Sequence, residues 1–202
     1  MNRYSFTALG LVYFIGPFFF FRRFVSADVY RLQSVCSLIA SLCLSGTAVR
    51  EAWAGDTVSG SLQKRCTEFY VVYAVVDMVL GTFYYPRNMK RVDGYFHHFL
   101  SGAFGVYCLY TDRCFLMSQA LVVEASTIFL ALPRVFPSVF NNHLVKKYVF
   151  PVTFLVCRLM LLPYVVFQNR HRLYVGETCF ALGFTFINIR WFLESLSKQW
   201  KN

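Results

Sequence analysis

GYFHHFLSGAFG, residues 94–105, is apolar apart from two adjacent histidines, His97 and His98, and Ser101. Wound as a helix, it sets Gly94, His98, Gly102 and Gly105 along one stripe at three- and four-residue spacing, with Ser101 beside them. So small a stripe lets a neighbouring helix or a lipid chain come close to the backbone, with an imidazole at its edge. The apolar run continues to Tyr110. The fold therefore turns on whether such runs are the core of a soluble domain or spans of a bilayer.

Composition decides for the bilayer. The chain of 202 residues is 57% hydrophobic and 19% aromatic, carries 15% charge and has a mean hydropathy of +0.47. A soluble domain of this size has no use for 23 phenylalanines. Seven apolar runs are separated by short charged loops: Tyr4–Phe21, Leu32–Val49, Thr67–Tyr85, Tyr95–Tyr110, Cys114–Leu132, Tyr148–Phe167 and Tyr174–Leu193. Most approach the roughly 20 residues that cross a bilayer, and the fourth is somewhat short. The first ends in FFFFRR, Phe18 to Arg23, without a small-residue cleavage site, and reads as a retained span rather than a signal peptide. The expected fold is all-α, a polytopic transmembrane bundle of about seven spans. Residues 1–48 make an N-terminal region with two spans, 49–193 a core of five, and 194–202 a short tail.

The formal charge of +10 sits in the loops between apolar runs, as topology determinants do, so nucleic acid is discounted as a partner. With seven spans, Arg3, Arg50, Lys64, Arg65, Arg113, Arg170 and Arg172 fall on the N-terminal side and eleven basic residues on the other. That bias expects a cytosolic C-terminus and places His97 and His98 near the cytosolic face. The seven cysteines form no Cys-x-x-Cys pair, so neither a zinc site nor a thiol redox motif is expected.

Ionisable residues inside spans are costly and normally face a partner or a cavity. Asp77 lies near the middle of the third run, Glu124 near the middle of the fifth, Arg158 in the sixth and Asn188 in the seventh. Arg158 is expected to pair with Asp77 or Glu124, and Asn188 to hydrogen-bond between helices. Tyr70, Tyr73, Tyr84 and Tyr85 read as packing residues and interface anchors.

The ordered set YVVYAVVD (70–77), GYFHHFLSG (94–102), EASTIFL (124–130), Arg134 and FINIRWF (186–192) resembles the TLC-domain family, which includes ceramide synthases and several lipid-homeostasis proteins. The resemblance covers roughly Val49 to Leu193. Ceramide synthases carry a further His-Asp and Asp ahead of the glutamate; here LMSQALVVEAST (116–127) has Ser118, Gln119 and Val122 instead. The chain is thus more similar to members lacking the full ceramide synthase signature.

The resemblance implies lipid homeostasis in an internal membrane, the endoplasmic reticulum. In an enzymatic reading, His98 or His97 is the general base of a lipid acyltransferase, oriented by Asp77 or Glu124, with acyl-CoA as co-substrate and no resident cofactor or metal. Ser101, Gly102 and Gly105 would line a groove for the acyl chain, with Arg158 and Asn188 as further substrate contacts. In a non-enzymatic reading the bundle binds or senses a lipid, or escorts membrane cargo, and His97, His98 and Glu124 form a polar plug. Membrane lipids and a second copy of the chain are the other partners admitted. A histidine-ligated di-iron centre is set aside, since two of the four histidines, His143 and His171, lie in loops. A proton relay through Asp77, Glu124 and Arg158 is disfavoured because no Gly/Pro-broken spans occupy two related halves.

Overall fold

The computed structural model describes residues 15–16, 18–20, 22–23, 29–54, 60–86, 92–140 and 144–199, and among them it contains no strand. The expected first span, Tyr4–Phe21, lies almost wholly outside the described residues. Five helical stretches are long and apolar enough to cross a membrane: Arg31–Arg50, Gly60–Tyr84, Cys114–Val135, Lys147–Gln168 and Val175–Ser197. The chain is therefore a helical membrane protein.

Helix α1 (Val29–Ala54) buries Leu32, Cys36, Ala40, Leu44 and Ala48 at four-residue spacing, with Ser34, Ser41 and Ser45 beside them. These small residues let neighbours approach closely where lipid supplies no hydrophobic drive between helices. Helix α2 (Gly60–Tyr84) begins ahead of the expected Thr67 and buries Tyr70, Tyr73, Ala74 and Asp77 on one side. Helix α3 (Val92–Tyr110) has 19 residues, at the short end for a span, and lies antiparallel to α2. It is followed by a reversal in which Asp112 takes a φ of 56°, a left-handed conformation that Asp tolerates better than most residues.

The next two rods are broken helices. In α4 (Cys114–Val135) a 3₁₀ turn over Leu121–Glu124 separates two α-helical halves. The rod α5 starts with a π turn over Val145–Val149, continues as an α segment Phe150–Phe154 and a second π turn Leu155–Leu161, and ends as α over Leu162–Gln168. Pro151 and Pro163 each stand just past one π turn. A proline ring removes one ladder hydrogen bond and collides with the carbonyl four residues back, and the wider turns accommodate both effects. The sixth expected span is thus a helix of mixed winding, with Arg158 in its second π turn. Helix α6 (Val175–Gln199) is 25 residues long and leaves Leu182, Phe186 and Leu193 exposed, as a lipid-facing helix does.

Candidate functional site

The α2–α3 contact brings the first two sequence-selected groups together. His98 Nε2 lies 3.0 Å from Asp77 Oδ2, and the Asp77 side chain is 3% exposed. Tyr85, itself buried, donates its hydroxyl to Asp77 Oδ1 at 2.7 Å and to the Asp77 carbonyl at 3.2 Å. A carboxylate facing Nε2 fixes the ring proton on that nitrogen, which leaves Nδ1 as the lone-pair nitrogen. Nδ1 of His98 is buried and has no hydrogen-bond partner, and the same holds for Nδ1 of His97. Of the two carboxylates proposed to orient the base, Asp77 is the one in contact.

His97 turns the other way, toward α6. Its ring stacks on Phe184 at 5.2 Å between centroids and lies 5.1 Å from Trp191. Beneath it, Ser101 Oγ donates to the His97 carbonyl at 2.6 Å and accepts from the Tyr70 hydroxyl at 2.7 Å. Tyr73 packs edge-on against His98 at 5.8 Å and donates to Ser37 Oγ at 3.4 Å. Two neighbouring imidazoles are thus committed to different surroundings, one polar and one aromatic.

The glycine stripe proves to be a helix contact rather than a groove. A Cβ on Gly105 would stand 2.6 Å from Val71 Cγ2, and one on Gly102 would stand 3.6 Å from Ala74 Cβ. Helix α2 therefore occupies the place reserved for an acyl chain. Glycine is required at position 105 by that close approach.

Arg158 forms no ion pair within 4.0 Å with Asp77 or Glu124. Instead its buried guanidinium donates from Nε to Ser126 Oγ at 2.9 Å, from Nη1 to Asn188 Oδ1 at 3.2 Å and from Nη2 to Thr127 Oγ1 at 3.2 Å. The physical reason is that residues two apart on a helix point about 200° apart: the face that brings Ser126 to Arg158 on α5 leaves Glu124 against Ser41 on α1. Asn188 also donates to the Phe184 carbonyl at 3.0 Å, so it joins helices as expected. Glu124 is 4% exposed, and among the described residues its one hydrogen bond comes from Ser41 Oγ at 3.4 Å.

A cavity of about 70 Å³ opens among α3, α4, α5 and α6. Its wall is mostly aliphatic and aromatic, with Tyr70, Ser101, Glu124, Asn169 and Glu177 as the polar members. His97 and His98 are outside the wall, and Phe184, which lines it, is the residue stacked on His97. Glu177 belongs to a polar cluster that sequence reasoning missed. Arg113 Nη2 donates to Glu177 Oε2 at 2.7 Å and also reaches the Arg172 carbonyl, while Tyr107 donates to Glu177 Oε1 at 3.1 Å. The backbone N–H of Tyr174 donates to Glu177 Oε2 at 2.8 Å, a reach-back from the third helical position that a capping-box reading of the sequence could have found. Hydrogen bonding to Glu177 raises the Arg113 basicity further, so this cation is charged at every ordinary pH.

Compared with known proteins, the chain matches the family model described as the TLC domain over residues 23–201. No curated protein and no solved structure matches it.

Proposed function

The chain belongs to the TLC-domain family, and from that premise we propose that it transfers an acyl group to a lipid, with His98 as the general base. The observation that carries this reading is the buried Asp77–His98 pair at 3.0 Å, whose remaining ring nitrogen has no partner. Nδ1 of His98 takes the proton of an acceptor hydroxyl or amine as that acceptor attacks the thioester carbonyl of acyl-CoA. The C–S bond then breaks, and the proton passes from Nδ1 to the departing thiolate. Asp77 keeps the Nε2 proton in place and stabilises the imidazolium formed in between, and Tyr85 holds Asp77 in register. The work is lipid homeostasis in the endoplasmic reticulum, with the C-terminus in the cytosol; family membership and the basic-residue count support this placement.

A second reading, lipid binding without chemistry, draws on one observation. The cavity is walled off from both histidines, with Phe184 between it and His97. The two readings separate in lipid nanodiscs supplied with acyl-CoA and a panel of hydroxyl and amine lipid acceptors, products being followed by mass spectrometry. Acyl transfer expects a product from the wild type that both His98→Ala and His98→Gln abolish and that Asp77→Asn cuts by at least about tenfold. If the wild type forms no product while folded His98→Ala changes the lipids that co-purify, binding without chemistry is the function.

A further inference from the structure

We propose that the cavity between α3, α4, α5 and α6 is a binding site for an aliphatic molecule bearing a hydrogen-bond-donating head group, and that Glu124 receives that head group. The buried carboxylates Asp77 and Glu177 are each met by two or more donors. Asp77 is met by His98 and Tyr85, and Glu177 by Arg113, Tyr107 and the Tyr174 N–H. Glu124 is as buried as these, at 4% exposure, yet it has only the 3.4 Å contact from Ser41. Among the described residues it forms no ion pair.

A carboxyl group at this depth in a membrane normally faces a partner or a cavity. Glu124 faces a cavity. The nearby cation makes no hydrogen bond to it: the Arg158 guanidinium donates to Ser126, Thr127 and Asn188. Nor do the cavity's other polar members near that end, since Tyr70 donates to Ser101 and Ser101 donates to the His97 carbonyl. A carboxylate with one long hydrogen bond therefore sits in a wall that is mostly Phe104, Leu116, Val165, Phe180 and similar side chains. A ligand that suits this wall is apolar along its body and offers one O–H or N–H at one end. The shared chemistry admits two sources, an alcohol or a protonated amine. An amine would add charge pairing to the hydrogen bond.

This assignment is independent of acyl transfer, because the histidines lie outside the cavity wall. The test uses the full chain in nanodiscs and a medium-chain alkanol carrying a photoactivatable diazirine at its far end, with crosslinked peptides mapped by mass spectrometry. Saturable labelling is expected on cavity-lining segments, for example around Leu116 or Leu173. Unlabelled alkanol and alkylamine of the same length should compete, and the corresponding methyl ether, which donates nothing, should compete at least about tenfold less well. Glu124→Leu should abolish the saturable component. Glu124→Gln should retain alkanol competition and lose the amine's, identifying the charge-dependent source. Ala181→Phe, which fills the same space from α6, serves as a second variant should Glu124→Leu fail to fold. The proposal is overturned if the methyl ether competes equally, if folded Glu124→Leu labels like the wild type, or if labelling falls only on lipid-facing residues. A protein that binds the alkanol yet forms no acylated product keeps this site and loses the catalytic reading.

Discussion

Gly105→Ala is predicted to destabilise the bundle relative to Gly102→Ala, and the size of the difference follows from the α2–α3 geometry. The new Cβ would sit 2.6 Å from Val71 Cγ2, against the 3.4 Å at which ordinary contact begins, so about 0.8 Å must be found. Valine on a helix is nearly confined to one χ1 rotamer, which prevents the methyl from simply swinging away. The helices must part or the valine must strain, and such overpacking costs about 1–3 kcal/mol. At Gly102 the added Cβ would rest 3.6 Å from Ala74 Cβ, an ordinary contact with no such cost. Both substitutions gain about the same helix propensity, roughly 1 kcal/mol. That term cancels in the comparison, which leaves the overpacking penalty of about 1–3 kcal/mol as the predicted difference. Reversible unfolding in mixed micelles, followed by circular dichroism, would measure it. Val71→Ala should rescue Gly105→Ala and do nothing for Gly102→Ala. Equal stability of the two alanine variants, or no rescue by Val71→Ala, would refute the reasoning and return the stripe to the status of a lipid groove.

Two further predictions concern the buried charges. Arg158→Lys should lower stability by about 1–3 kcal/mol, because a single ammonium cannot span Ser126, Thr127 and Asn188 as the guanidinium fork does, whereas Arg158→Met, which leaves no buried charge, should cost less; unfolding in micelles that ranks lysine as the milder change would contradict this. Arg113→Ala should cost about 2 kcal/mol by stranding the buried Glu177 carboxylate, and a double-mutant cycle with Glu177→Gln should recover coupling of about 1 kcal/mol or more; strictly additive effects would mean the pair is incidental.

How far the sequence reveals this molecule depends on whether an interaction is local or set by tertiary geometry. The helical class and the membrane setting follow from run length and hydropathy, which are local sums. The Asp77–His98 pairing is partly legible, since consecutive antiparallel helices joined by a short connection face each other; the expected start at Tyr95 left His98 near the membrane edge, and the helix starting at Val92 sets it deeper, against Asp77. Tyr85 is less so: it follows the last helical residue, Tyr84, and its hydroxyl turns back to Asp77. The contacts of Glu124 and Arg158 are not legible. Which of several inward-facing partners a buried guanidinium takes is set by the packed bundle: Ser126 and Thr127 reach Arg158, while Glu124 meets Ser41.

The two glutamates of the cavity wall differ in how well their surroundings satisfy them. Glu177 sits in the first turn of α6, where sequence position alone supplies a backbone N–H, and Arg113 arrives from the preceding reversal to complete its shell. It is a structural carboxylate by virtue of that neighbourhood. Glu124 stands in mid-span on the far side of α4 from Ser126, apart from the guanidinium that Ser126 receives. A buried carboxylate left with one long hydrogen bond is costly to the empty bundle and open to a ligand's donor. It follows that folded Glu124→Leu should strengthen the bundle while abolishing saturable alkanol labelling. Stability and ligand labelling moving in the same direction would break the link between the unsatisfied carboxylate and the site.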